Sequence, residues 1–505
     1  MYAALAVAAV LLFASCKNDK NQPKNEAGDA YVSFTFNLPQ GGFRAGVADK
    51  TAGEEYAGTK EEQAIKGVRV VLYDPTSGTV KHAFDYAITG DGATAPTGEV
   101  AGSPATVSRF TTKAKSVASQ NYLMLAIINP TTEVKTATAV GKGLLEAQKA
   151  ITSTADALKA NGILMSNERG LVDVAVAALK PTEDEAVGAP VAVKVDRILA
   201  KVFVGSTGNG GQPTLPTGVK FTNIKWQLNT TNTKTFIYRQ FGLVATGTVN
   251  IFKLETADDQ STRFQRYAQD PNFLKSQFNS ADFTYLEDTP DLTGTYGYAD
   301  ADGQYCLENT MEADAQVVQQ TTSFILSGTW TPVSKPEMTF NEGETWYSYL
   351  GLPFNVEKMK EYIKEATDAT KDKFTEINGT PAGFKAALKA LLADTNCPVD
   401  KNEGTITKSF VSHGIKGYHK GVCYYQTNLI RHFDNSVSSE DMGYGRYGVV
   451  RNNIYKINIT KISQPGEPTV VNEKDNPGKD DPSKVFVAFD VTINPWIVRT
   501  QDISL

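Results

Sequence analysis

Two stretches near opposite ends of this chain alternate apolar and polar residues with a period of two. Toward the N-terminus, Val32, Phe34, Phe36 and Leu38 alternate with Ser33, Thr35 and Asn37. Toward the C-terminus, Val485, Val487, Phe489, Val491 and Ile493 alternate with Phe486, Ala488, Asp490 and Thr492. Successive side chains of a strand point to opposite faces, so each stretch predicts a half-buried strand. Pro39 and the Gly41-Gly42 pair stop the first one. The second lies at a terminus, the part of a chain most easily exchanged because no later segment must thread after it.

Other segments fit a mainly β chain. Strands are expected at Lys66 to Tyr73, Tyr122 to Ile128, Val191 to Val204, Val219 to Leu228, Val422 to Ile430 and Tyr455 to Ile462. The second of these is apolar throughout and predicts burial on both faces. Spaced Leu and Ala predict a helix over Leu144 to Leu158, and short helical inserts are expected at Val356 to Thr370 and Ala382 to Leu392. The Gly- and Pro-rich run Gly205 to Gly218 reads as a linker. It divides the chain into an N-terminal domain, 45–210, and a C-terminal domain, 211–505. Residues Gln464 to Lys484 are rich in Pro, Gly, Asp, Asn and Lys and predict a flexible tether before the last strand.

The first fifteen residues form an apolar run too short to span a bilayer, which takes about 20 residues. They read as a signal peptide, although no Lys or Arg precedes Cys16. Ala14 and Ser15 before Cys16 resemble a bacterial lipobox, which implies lipidation of Cys16. Residues 16–44 would then be a lipidated propeptide that includes the first strand, with polar Lys17 to Asp29 as a solvated spacer.

Enzyme chemistry finds no foothold. There is no G-x-S-x-G, zinc motif or phosphate loop, and a hydrolase using Glu440 or Asp441 has only isolated carboxylates to point to. His82, His413, His419 and His432 lack ligand spacing, and no two cysteines form a C-x-x-C pair, so neither metal nor cofactor is expected. With 50 Lys and Arg against 56 Asp and Glu, nothing favours nucleic acid. Once Cys16 is removed, Cys306, Cys397 and Cys423 remain, and the sequence leaves their pairing open. Trp346-Tyr347 and Tyr424-Tyr425 could instead line a sugar site, the feature a monomeric glycan- or host-binding lipoprotein adhesin would need.

Arg44 lies in a glycine-flanked loop just after the first strand. A cut there would free that strand and open an apolar groove edged by unpaired backbone groups. The C-terminal strand of another copy has the pattern to fill it, and such a head-to-tail contact builds filaments. At these residues the chain resembles the Bacteroidetes-type fimbrillins, the type V pilins, and among them the minor-fimbrium (Mfa-type) stalk subunits. The resemblance rests on Phe13-Ala14-Ser15-Cys16, Leu38-Pro39 with Arg44-Ala45-Gly46, Val449-Val450-Arg451-Asn452-Asn453-Ile454-Tyr455-Lys456-Ile457, and Val491-Thr492-Ile493-Asn494-Pro495-Trp496. It implies two transthyretin-like antiparallel β-sandwich domains and export as a palmitoylated lipoprotein to the outer membrane. It further implies cleavage between Arg44 and Ala45 by an Arg-directed or trypsin-like protease, then donor-strand exchange. The partners implied are other copies, accessory fimbrial subunits, the protease and surface ligands of host or bacterial cells. The lipid would be transient and the end state a structural, adhesive cell-surface fimbria.

Overall fold

The computed structural model describes residues 28–38, 58–102, 105–208, 210–240, 243–246, 249–252, 267–368, 381–432, 446–478 and 497–504. Cys16, Arg44, Ala45 and the strand from Val485 to Ile493 lie outside the described residues.

The protein is mainly β. The N-terminal half is built on one large sheet ordered Val80–Tyr86, Val68–Tyr73, Tyr122–Ile128, Met165–Asn167, Val191–Arg197, Phe34–Asn37 and Arg109–Thr111, with Val172–Val174 also paired to Tyr122–Ile128. Tyr122–Ile128 is buried at every position, as its uninterrupted apolar run predicts. Its alternate residues feed two cores. Tyr122, Met124, Ala126 and Ile128 pack with Val32, Phe34, Phe36 and Leu38. Leu123, Leu125 and Ile127 pack with Leu199, Phe203, Leu307 and Ile454 from the C-terminal half.

That second half is built around two facing four-stranded sheets. One is ordered Gln304–Leu307, Leu199–Gly205, Asn453–Lys461, Ile497–Ser504; the other Gly294–Thr295, Lys220–Asn229, Ser323–Thr331, Val422–Leu429. Val202, Val204, Ile457 and Ile459 of the first share a core with Trp226, Phe324, Leu326 and Tyr425 of the second, which makes a β-sandwich. The sheets are not purely antiparallel. Among the described strands three pairings are parallel: Val191 to Lys194 with Phe34–Asn37, Lys201 to Gly205 with Ile454 to Asn458, and Asn453–Lys461 with Ile497–Ser504. A smaller sheet, Leu352–Asn355, Trp346–Tyr349, Ile415–Tyr418 and Phe410–Ser412, carries the expected helical insert. Its helices run Val356–Thr367 and Pro381–Ala393, and Met359, Ile363, Phe384 and Leu388 bury into a separate core.

Four expectations need correction. The long strand from Val191 to Val204 is two strands, Val191–Arg197 and Leu199–Gly205, in different sheets. The helix expected from Leu144 to Leu158 is broken into Leu144–Gln148 and Ala155–Lys159. Between them Ala150–Thr152 pairs with Lys234–Phe236, and the Thr154 side chain caps the second helix. The first strand is buried on both faces rather than one, because Ser33 and Thr35 have hydroxyl partners.

The fourth correction concerns the tether. Residues 464–478 are strapped onto the C-terminal half. Tyr424 and Glu467 exchange backbone hydrogen bonds of 2.7 and 2.8 Å, and so do Asp288 and Val470 at 2.8 and 2.6 Å. Glu473 is 1 % exposed and accepts from Asn229 Nδ2 at 2.7 Å. Polar composition alone predicts a flexible tether, but backbone pairing and the buried Glu473 hold residues 464–478 to the body while most of their polar side chains stay exposed.

Candidate functional site

The first strand fills a cleft inside the large sheet. Phe34–Asn37 runs parallel to Val191 to Lys194 on one side and antiparallel to Arg109–Thr111 on the other. Both of its backbone edges are therefore used. Thr112 N donates to Phe34 O at 2.9 Å, Leu38 N to Ser108 O at 2.9 Å, and Val191 N to Ser33 O at 2.9 Å. Upstream, Ala30–Val32 pairs with Lys115–Val117, and Tyr31 exchanges backbone hydrogen bonds with Lys180. At the entrance Gly28 lies so close to Val117 that an added Cβ would sit 1.8 Å from its carbonyl carbon, which explains a glycine there.

Side chains divide cleanly between the cleft's two faces. Val32, Phe34, Phe36 and Leu38 enter the core, and Phe36 stacks on Phe110 with ring centroids 5.1 Å apart. On the other face Ser33 Oγ donates to Thr112 O at 2.7 Å, and the hydroxyls of Thr35 and Thr111 share a 2.6 Å hydrogen bond. Two residues of the first strand, Ser33 and Phe34, face three of the partner, Thr112, Lys113 and Ala114. This one-residue irregularity pins the register as a β-bulge does.

A second feature escaped sequence reasoning: a buried ionic junction where the chain crosses between sheets at Ile198. Asp196 accepts from Arg239 Nη2 at 2.7 Å and from Asn452 Nδ2 at 2.9 Å. Glu308 accepts from Arg451 Nε at 2.7 Å and lies 3.5 Å from Arg239 Nη1. Arg239 Nη2 also donates to Arg451 O at 3.0 Å. Asn452 N donates to Leu199 O, and its φ of 59° is a left-handed turn that asparagine tolerates. Tyr455 OH receives Val450 N at 2.8 Å. The Arg451-Asn452-Asn453 motif thus ties the two halves together. The available signal was a cluster of polar residues inside an otherwise apolar strand sequence.

Nearby, Glu62 and Lys201 form an ion pair of 2.7 Å with both side chains 1 % exposed, and Tyr305 OH also donates to Glu62. Burial pushes the Glu62 carboxyl up, but Lys201 and Tyr305 outweigh it, so its pKa falls below the ordinary 4.5. A lowered folded pKa contributes stability that is complete above the unfolded value and lost as pH falls through the folded one. Glu62→Gln is therefore expected to lower stability at neutral pH and to flatten its decline below about pH 4.5. Urea titrations at several pH values check this; an unchanged acid limb would refute it.

Cys306, Cys397 and Cys423 are free thiols. Burial pushes both Cys306 and Cys423 up to about 12, whereas Cys397 is partly exposed. A native-state alkylation experiment should label Cys397 alone, with the other two reacting only on unfolding. Trp346, Tyr347, Tyr424 and Tyr425 are strand core rather than a surface, and Trp346 stacks on Tyr418 at 3.9 Å.

Comparison with known proteins gives the following. The family model of the major fimbrial subunit protein (FimA) matches residues 30–197. That of the major fimbrial subunit protein type IV, fimbrillin, C-terminal, matches residues 416–502. Among solved structures the chain is similar to a fimbrilin (fimA) from Porphyromonas gingivalis W83, at 14% identity and TM-score 0.37, covering 95% of this chain and 98% of that one. It is also similar to a fimbrial assembly protein from Parabacteroides distasonis ATCC 8503, at 15% identity and TM-score 0.29, over 65% of this chain and 86% of the other. The tip fimbrial protein Mfa3 from Porphyromonas gingivalis matches at 12% identity and TM-score 0.28, over 62% and 85%. No curated protein matches the sequence.

Proposed function

The chain is a Bacteroidetes-type fimbrillin, a structural subunit of a cell-surface fimbria and not an enzyme, and on that premise we propose that it polymerises by protease-triggered exchange of its first strand. The precursor is exported, lipidated at Cys16 and held at the outer membrane. Cleavage between Arg44 and Ala45 removes the covalent hold on Val32, Phe34, Phe36 and Leu38. The segment bearing Val485, Val487, Phe489, Val491 and Ile493 of a second copy then replaces them. The mature subunit is two β domains with a stalk role, the chain passing from one to the other at Ile198 rather than within Gly205 to Gly218, and the fibre contributes to adhesion through surface ligands and accessory subunits.

One observation carries this reading. The first strand is an interior strand of its sheet, hydrogen-bonded on both edges, yet it is the first element among the described residues, and Arg44 follows it in the sequence. A strand in that position leaves a defined vacancy when its covalent link is cut, and an edge strand would not. With 464–478 strapped down, residues 479–484 separate the anchored body from the donor segment, a reach of roughly 20 Å, and on its other side Ile497–Ser504 has to leave Asn453–Lys461 for the exchange. Short reach favours a neighbour packed end to end. N-terminal sequencing of protein shed from the cell surface tests the reading, together with electron microscopy for fibres. Fibres of chains beginning at Ala45 support it; fibres of chains that retain lipidated Cys16 refute it.

A further inference from the structure

The cleft has two chemically different faces, and the register of its occupant follows from them. The displaced segment reads Ala30-Tyr31-Val32-Ser33-Phe34-Thr35-Phe36-Asn37-Leu38. Residues 485–493 read Val-Phe-Val-Ala-Phe-Asp-Val-Thr-Ile. Laid in the same direction, they match position by position in character. Aromatic Phe486 falls on Tyr31, Val487 on Val32, small Ala488 on Ser33, Phe489 on Phe34 and Ile493 on Leu38.

We propose that the cleft accepts residues 485–493 of a second copy in this single register, with Thr111 as the residue that reads Asp490. The inference rests on the strand replacement proposed above. Asp490 takes the place of Thr35, whose hydroxyl lies 2.6 Å from that of Thr111. A threonine hydroxyl donates to a carboxylate as readily as to another hydroxyl. Thr35 is 3 % exposed, so a carboxylate in its place loses most of its water and depends on the Thr111 hydroxyl as its donor.

A slip of two residues keeps the apolar face inward and is the competing arrangement. In one direction Phe486 lands on Ser33, which is 1 % exposed and too confined for a ring. In the other direction Asp490 lands on Ser33, whose hydroxyl donates to Thr112 O at 2.7 Å. A carboxylate there sets oxygen against carbonyl oxygen with no proton between them. Both slips are penalised on the polar face, while the apolar face alone would tolerate them. Thr111 and Thr112 therefore supply the discrimination.

Cysteine pairs test the register. Phe34 and Thr112 share a backbone hydrogen bond, so Thr35 and Thr111 form the non-hydrogen-bonded pair next to it, with Cα atoms about 4.5 Å apart, within disulfide range. In the full chain carrying Cys397→Ser, Thr111→Cys is combined with Ala488→Cys, Asp490→Cys or Thr492→Cys. Each is cut with limiting trypsin, and products beginning at Ala45 are allowed to assemble. Covalent ladders on non-reducing denaturing gels are expected from Thr111→Cys with Asp490→Cys alone. Ladders from either other pair, or fibres without any ladder, overturn the register while leaving strand replacement intact. Absence of fibres from the parent chain sinks strand replacement itself. Should the paired variants fail to assemble, Thr111→Val is expected to slow fibre growth about tenfold, with Thr111→Ser restoring it; equal rates for all three overturn the proposal.

Discussion

A chain carrying Arg44→Gln is expected to remain a monomer, with no fibres and no heat-stable ladder, under conditions where the parent chain polymerises completely. The size of the effect comes from competition for one cleft. Val32, Phe34, Phe36 and Leu38 are each at most 4 % exposed, and their burial is worth about 6–12 kcal/mol before other costs. The cleft also satisfies backbone groups on both edges of the strand. While the loop after Leu38 is intact, a strand that escapes returns at an effective concentration on the order of millimolar. A donor from another molecule at micromolar concentration is outcompeted by roughly a thousandfold, even at equal intrinsic affinity. Cutting the loop abolishes that advantage, since a released segment diffuses away. Negative-stain microscopy and denaturing gels without boiling read the outcome. Fibres at the parental level from Arg44→Gln would show that the first strand is not displaced through this cut. Replacing Val487 and Phe489 by Asp should give the same monomeric phenotype by spoiling the donor, with the paired strand Ile497–Ser504 left intact and thermal unfolding of the N-terminal sheet unchanged.

Period-two alternation located the first strand and its apolar face, because Phe34 and Phe36 point where a strand puts them. It misjudged the second face. Alternation equates polar with solvated, whereas Ser33 and Thr35 are buried against Thr112 and Thr111. The same equation hid the turn at Ile198. Asp196 and Arg197 fit the alternation of a strand continuing to Val204, yet both are buried and partnered by residues far along the chain, including Asn452. Partners separated by more than two hundred residues leave no local pattern to read. Glu473 and the strap around it were misread for the same reason. The helical inserts were legible because their apolar spacing meets a core within the same insert, so Met359, Ile363, Phe384 and Leu388 needed no distant partner.

The junction provides the largest expected effect on stability. Glu308, 1 % exposed, is shared by Arg239 and Arg451, which are equally buried. Removing one member of a buried ionic group leaves the others charged and unpaired, at a cost of about 3–5 kcal/mol. Glu308→Ala is expected to incur that penalty, because the Arg451 guanidinium loses its carboxylate, Arg239 is left with Asp196 alone, and the Arg451 N–H loses its acceptor at 3.2 Å. Glu308→Gln keeps an acceptor and should cost less. Arg451→Met in the Glu308→Ala background should cost far less than the sum of the two single changes, since they break one interaction. Denaturant unfolding of the four chains closes the cycle. Additive costs would show that Glu308 and Arg451 act independently, and a Glu308→Ala chain as stable as the parent would remove the junction from the forces joining the halves. The consequence reaches assembly. In the proposed fibre the cleft lies in one half and the donor leaves from the other, so pull on the donor passes through Asp196, Arg239, Glu308 and Arg451. Glu308→Ala subunits that still polymerise should therefore give fibres that dissociate at lower denaturant than parental ones, although neither the cleft nor the donor has been touched.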